Sequence, residues 1–227
     1  MKDSGVEWLG EVPEHWEVKR LKHCIDPDRP VTYGILKPGE PDEDGMPMIR
    51  AQDYSNGWVA SRQILTVSRE TEAPYERSRV REGDLLITAV GAGIGNCSIV
   101  PACLDNANIS RASCRISVNK SRVSSEYLLL VLMSRPTKTA IELTTRGAAQ
   151  PVLNNAEVEN LITPLPPLRE QMDLASELLS KLERFDEQEN LCSRQVEILQ
   201  ERRSALISAA VTGQIDVRGL VQEAGEQ

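Results

Sequence analysis

The sequence predicts an α+β protein: a mixed α/β globule over residues 1–166, one long coiled-coil helix over 167–212 and a short tail over 213–227. Two observations carry this expectation. Short aliphatic runs bounded by Gly, Pro, Asn and Asp fill the first part, the pattern of strands and turns. The 45 residues 168–212 then hold neither Pro nor Gly, the pattern of an uninterrupted helix. A hydrophobic content of 40% in 227 residues supplies a core, and no run approaches the roughly 20 apolar residues of a membrane span.

In chain order, 38–45 reads as an acidic surface loop. Residues 46–51, 84–90, 97–100 and 112–118 read as strands. Ser124 is placed to cap a helix over 126–133, with Pro136 just beyond as a stop. Pro164-Leu165-Pro166-Pro167 is an extended breaker whose last proline suits a first helical position. Glu170 and Asp173 fall in the first turn, where the helix dipole favours negative charge. Gly213 is the natural stop at the far end.

Alternating steps of three and four from Gln171 reach Ala175, Leu178, Leu182, Phe185, Glu189, Cys192, Val196, Leu199, Arg203, Leu206 and Ala210. Nine of these twelve positions are apolar, which is a heptad seam. Such a helix runs about 65 Å at 1.5 Å per residue, and one helix cannot bury its own stripe. The expected interface, Leu178 through Leu206, is therefore with a second copy of this chain. In an antiparallel pair Glu189 and Arg203 fall on opposite sides of the midpoint and meet across it. A long helix packed along its own domain is the alternative.

Charge is unevenly distributed. Residues 50–146 carry 13 basic against 9 acidic side chains, and 11 of the 13 are arginine, although the chain as a whole has a net charge of −8. Arginine forks suit phosphates and guanine edges. Arg50, Gln52, Arg62, Asn108, Arg111, Arg146 and Gln150 are the expected DNA contacts, because Arg reads guanine while Asn and Gln read adenine. For each of them a solvated surface position is the competing reading.

Catalytic patterns are missing. Cys24, Cys97, Cys103, Cys114 and Cys192 form no Cys-x-x-Cys pair, which argues against a zinc site or a disulfide framework and fits thiols in a reducing cytoplasm. The N-terminus shows no apolar signal region. His15 and His23 are the only histidines, and both read as surface or packing residues. Gly91-Ala92-Gly93-Ile94-Gly95 follows an apolar strand, but Asn96 stands where a dinucleotide loop needs its third glycine, and a strand follows instead of a helix. Val90 also stands where a methyltransferase loop carries an acid. A tight glycine turn between two strands is the expectation, with no catalytic residue, metal or cofactor in this chain.

The opening Gly5-Val6-Glu7-Trp8-Leu9-Gly10-Glu11-Val12-Pro13-Glu14-His15-Trp16-Glu17-Val18-Lys19-Arg20-Leu21 resembles the start of a specificity subunit of a type I restriction–modification system. Gly83-Asp84-Leu85-Leu86-Ile87, with the glycine turn and Ser98-Ile99-Val100-Pro101, is similar to the centre of that family's target recognition domain. Pro164-Leu165-Pro166-Pro167-Leu168-Arg169-Glu170-Gln171 and Ala205-Leu206-Ile207-Ser208-Ala209-Ala210-Val211-Thr212-Gly213-Gln214-Ile215-Asp216 resemble the junction into its conserved helix and that helix's end. The resemblance implies a non-catalytic subunit that reads double-stranded DNA. It also implies a methyltransferase subunit bringing S-adenosylmethionine and, where one accompanies the system, a restriction subunit bringing ATP hydrolysis. Typical members carry two recognition domains and two long helices. This chain shows one of each, so a homodimeric half-subunit reading an interrupted palindrome is expected. The alternatives are a stand-alone DNA methyltransferase and a coiled-coil decoy that occupies the methyltransferase subunit without reading DNA.

Overall fold

A computed structural model describes residues 1–91, 93–145 and 151–215. The chain opens with β1 (Lys2–Asp3), β2 (Glu11–Val12) and β3 (Glu17–Arg20) and continues through β4 (Thr32–Tyr33), β5 (Pro41–Ile49), β6 (Leu65–Val67) and the single turn α1 (Arg69–Glu72). Next come β7 (Leu85–Thr88), β8 (Cys97–Ile99), β9 (Asn108–Ile109) and β10 (Ser113–Ile116). The remainder is α2 (Ser125–Met133), α3 (Arg135–Thr145), α4 (Asn155–Glu159), β11 (Ile162–Leu165) and α5 (Leu168–Val211). Residues 1–175 and 176–227 form two units.

The first unit is organised by an antiparallel sheet of order β4-β10-β7-β8. β7 is buried along its whole length, which explains why its sequence is a continuous apolar run and not an alternation. Leu85 and Ile87 pack with Tyr127, Leu128 and Leu132 of α2. Leu86, pointing the other way, packs with Ile49, Tyr54 and Ile109. A smaller sheet of order β6-β5-β9 flanks that side, with β5 and β9 parallel. Gly34 is required because a Cβ there would collide with the Ile109 backbone, where Ile35 N–H donates to Ile109 O at 2.8 Å.

Local signals account for most of these elements. Ser124 Oγ accepts from Tyr127 N–H at 3.1 Å and caps α2. Gly91 and residues 93–95 lie at the connection between antiparallel β7 and β8, with Gly95 N–H donating to Thr88 O and Thr88 N–H to Asn96 O. Gly91 (φ +102°) and Gly95 (φ +83°) adopt conformations that other residues resist.

The helix expected over 126–133 is α2, which stops at Met133 ahead of Pro136; a separate helix, α3, begins at Arg135 with Pro136 in its first turn, where its missing N–H has no partner to lose. One expectation about the strands needs correction. Only part of 38–45 is a loop. β5 begins at Pro41, and its register against β6 slips between Pro41 and Met46, so the acidic residues sit in an irregularity of the strand.

The first unit also runs past residue 166. Gln171 and Ala175, the first two seam positions, are buried. Gln171 Nε2 donates to Arg122 O at 2.9 Å and Pro166 O at 2.8 Å, while its Oε1 accepts from Ser124 N–H at 3.1 Å. The beginning of the heptad pattern therefore serves the globule.

In the second unit α5 continues to Val211 and ends at Gly213 (φ +73°). Gln214 N–H donates to Ala209 O and Gly213 N–H to Ala210 O, the paired bonds of a Schellman cap. Leu178, Leu182, Phe185, Val196, Leu199 and Leu206 are all exposed, from 42% at Leu182 to 66% at Phe185. Glu189, Cys192 and Arg203 are exposed as well. No helix among the described residues is long and apolar enough to cross a membrane.

Candidate nucleic-acid interface

Four segments leave the sheets at one edge. β5 and β9 run parallel, so Arg50 and Ser110-Arg111 emerge side by side, and Ser110 N–H donates to Ile49 O at 2.9 Å. β4 and β7 are antiparallel to β10, which brings the residues after Tyr33 and after Thr88 to the start of β10. Arg111 N–H donates to Ile35 O at 3.0 Å, and Ala89 N–H donates to Ala112 O at 2.7 Å. Val152 joins through a bridge to Val90.

The turn after β5 is held from two directions. Buried Asp53 accepts from Arg50 N–H at 2.7 Å, Arg50 Nε at 3.2 Å and Arg50 Nη2 at 3.0 Å. The Tyr54 hydroxyl lies 2.9 Å from Ser113 Oγ and 3.0 Å from Thr88 Oγ1, and burial pushes its pKa well above the ordinary tyrosine value. Gln52 stands exposed on this fixed turn. Arg111 is also exposed, on the rim of a concavity of about 310 Å³ shared with Tyr33, Leu36, Val90 and Val152. Burial pushes the Cys114 thiol beside it up to about 12.

The expected contacts separate on this geometry. Arg50, Gln52 and Arg111 come together. Arg50 is partly engaged, because its guanidinium fork is committed to Asp53. Arg62 is exposed on a different turn, 61–63. Arg146 and Gln150 lie outside the described residues. Asn108 is a correction: it is 0% exposed, and both ends of its amide are used. Its Nδ2 donates to Glu72 Oε1 at 2.8 Å and Tyr75 O at 2.9 Å, while Oδ1 accepts from Ser78 Oγ at 2.7 Å and Ile109 N–H at 2.8 Å. It is a core hydrogen-bond hub with no atom left to read a base.

Tyr33 and Leu36, exposed at the same edge, are additions. Their signal was an aromatic and a leucine flanking a glycine that must sit against another backbone. The arrangement offers an exposed amide on a held turn, a cationic fork and an apolar hollow at one edge, which are groups able to read a base edge, contact a phosphate and touch a thymine methyl. Among the described residues no cluster of three His, Cys, Asp or Glu side chains is placed to hold a metal.

The family of the type I restriction modification DNA specificity domain matches residues 13–197. The EcoBI specificity subunit of a type I restriction enzyme from Escherichia coli is 34% identical over 163 residues, covering 72% of this chain and 34% of that protein. A putative MjaX specificity subunit from Methanocaldococcus jannaschii is 25% identical over 207 residues, covering 90% of this chain and 47% of its own length. The chain thus spans half or less of these relatives. A solved chain from work on complex assembly and conformational transition of the type I R-M system superposes with a TM-score of 0.70 at 18% identity, covering 88% of this chain and 47% of that one. The HsdS subunit from Thermoanaerobacter tengcongensis superposes with a TM-score of 0.57 at 18% identity, covering 87% of this chain and 48% of its own. These two share the fold, and the sequence match over most of the length settles the relationship: this chain belongs to the type I restriction modification DNA specificity domain family.

Proposed function

We propose that this protein is the sequence-reading subunit of a type I restriction–modification complex, binding double-stranded DNA through the loop edge that carries Gln52 and Arg111. The observation that carries the reading is the convergence of these side chains with Arg50 and the Tyr33–Leu36 segment at one edge of a family-typical globule. The chain contributes recognition and no chemistry of its own. Methylation, with S-adenosylmethionine, belongs to a methyltransferase subunit, and ATP-driven cleavage to a restriction subunit where one is present.

The exposed apolar seam of α5 supports a two-copy assembly. Two antiparallel helices bury Leu178, Leu182, Phe185, Val196, Leu199 and Leu206 against their counterparts, forming an isologous interface. Two identical recognition globules then read two identical half-sites in opposite orientation, separated by an unread gap.

Mapping the methylated positions in DNA from cells that express the protein with its methyltransferase subunit tests this. An inverted, interrupted motif is expected. A motif with two unlike halves removes the two-copy arrangement and leaves recognition intact. Binding of the complex to random and genomic duplexes with equal affinity removes recognition itself and favours a decoy role.

A further inference from the structure

On a different part of the globule, Arg29, Arg77, Arg79, Arg81 and Arg115 line one cleft of about 470 Å³. Two of the five are held by carboxylates. Arg29 is held by Asp84 through two bonds of 2.9 Å. Arg79 is held by Glu72 through two bonds of 2.7 Å and by Glu76 at 3.0 Å. The Arg79 carbonyl accepts from Arg29 Nη2 at 3.0 Å and from Arg115 Nη1 at 3.1 Å.

Arg115 is the anomaly. It projects from β10, is 3% exposed, and has only neutral acceptors, the carbonyls of Arg79 and of Pro30, the latter at 3.1 Å. Its Nε is buried without a partner, and two of the five N–H groups of a guanidinium are thereby engaged. No carboxylate among the described residues lies within ion-pair distance of it, and Asp84 and Asp26 act on it only through space. Burial, with Arg29 close by, lowers its pKa to about 10. A buried cation facing only carbonyls is costly unless an anion completes it. Arg77 and Arg81 are exposed at the lip and form no ion pair among the described residues.

The geometry points to a phosphate-binding site in this cleft, with Arg115 as its buried cation, Arg77 and Arg81 as its outer clamp, and the phosphate group of a nucleotide as its ligand. Guanidinium forks match phosphate oxygens in pairs. The volume falls in the range of small-molecule sites, about 300–1,000 Å³, and exceeds what a lone ion needs. Asn106, at φ +65° on the same wall, adds an exposed amide. The inference rests on the charge of this cleft and not on the DNA-reading edge, so either can fail alone.

The test uses the full chain and inorganic phosphate as the probe, followed by ³¹P line broadening at constant ionic strength in chloride. Wild type is expected to broaden the phosphate signal, and the exposed pair Arg77→Ala/Arg81→Ala to raise the phosphate Kd at least tenfold without lowering Tm. Arg115→Met is expected to abolish broadening while keeping or raising Tm in chloride, because an uncompensated buried charge has been removed. Competition with AMP and with a DNA duplex identifies the source. Displacement by duplex alone assigns a backbone phosphate, and displacement by AMP assigns a free nucleotide. Equal broadening by wild type and the double alanine variant, or failure of both competitors to displace phosphate, overturns the proposal.

Discussion

The Tyr54 hydroxyl sits 2.9 Å from Ser113 Oγ, tying the turn that carries Gln52 to the central sheet. With Thr88 Oγ1 on its other side at 3.0 Å, the phenol crosses from that turn into the β7–β10 ladder and is within hydrogen-bond distance of both strands. Tyr54→Phe keeps the ring in the core and removes both bonds. Chemical denaturation should show a loss of about 1–2 kcal/mol, with the fold retained. DNA affinity should fall further than stability alone explains, because the turn loses its fixed position.

Gln52 and Arg111 should behave differently from Asn108. Alanine at either exposed position is expected to leave Tm within a degree or two and to relax one position of the recognised site, at about 1–3 kcal/mol per lost base contact. Asn108→Ala removes the bonds to Glu72, Tyr75 O, Ser78 and the Ile109 N–H and leaves a buried gap, so about 2–3 kcal/mol of stability should disappear with the sequence preference of the folded fraction unchanged. Methylation patterns read beside melting curves separate the two classes.

Gln171 anchors the start of α5 through three hydrogen bonds to Ser124, Arg122 and Pro166. Gln171→Leu has similar length and leaves those backbone groups unpaired. A cost of about 2–3 kcal/mol is expected. Hydrogen exchange should locate the loosening at the start of α2 and the first turns of α5, and uniform protection would contradict the anchor.

Glu170 accepts from the Trp16 indole at 3.0 Å and lies 2.8 Å from His15 Nε2. The His15 bond first, and the Trp16 bond second, hold the Glu170 carboxyl below the ordinary carboxylate value of 4.5. A depressed carboxylate contributes stability above its unfolded pKa, and that contribution disappears as pH falls through the folded value. Trp16 fluorescence should therefore change on the acid side, as pH falls below about 4.5. In Glu170→Gln that acid-side change should be absent.

The seam of α5 gives the sharpest association tests. Leu182→Glu should yield monomers in sedimentation. Reversing the charge at Glu189 or at Arg203 alone should weaken the dimer, and reversing both should restore it. If those two residues meet across a two-fold axis, Val196 lies midway between them and faces its own copy. Val196→Cys should then cross-link under mild oxidation, provided its geometry lies within disulfide reach, whereas Leu191→Cys, off the seam, should not.

The features legible along the chain were those set by residues close together in sequence. The Ser124 cap, the glycine turn between β7 and β8, the 44-residue reach of α5 and the Gly213 stop each depend on hydrogen bonds or periodicities spanning a few positions, so local residue type suffices. The seam was legible as a pattern, yet its first two positions, Gln171 and Ala175, turned out to face the globule. Asn108 and Arg115 were beyond the sequence for a related reason. An asparagine after an exposed turn and an arginine in an apolar run look like surface groups until strands far apart in sequence pair around them. Pairing of β9 with β5 buried the one, and pairing of β10 between β4 and β7 buried the other, because burial is decided by long-range register, which no neighbouring residue encodes.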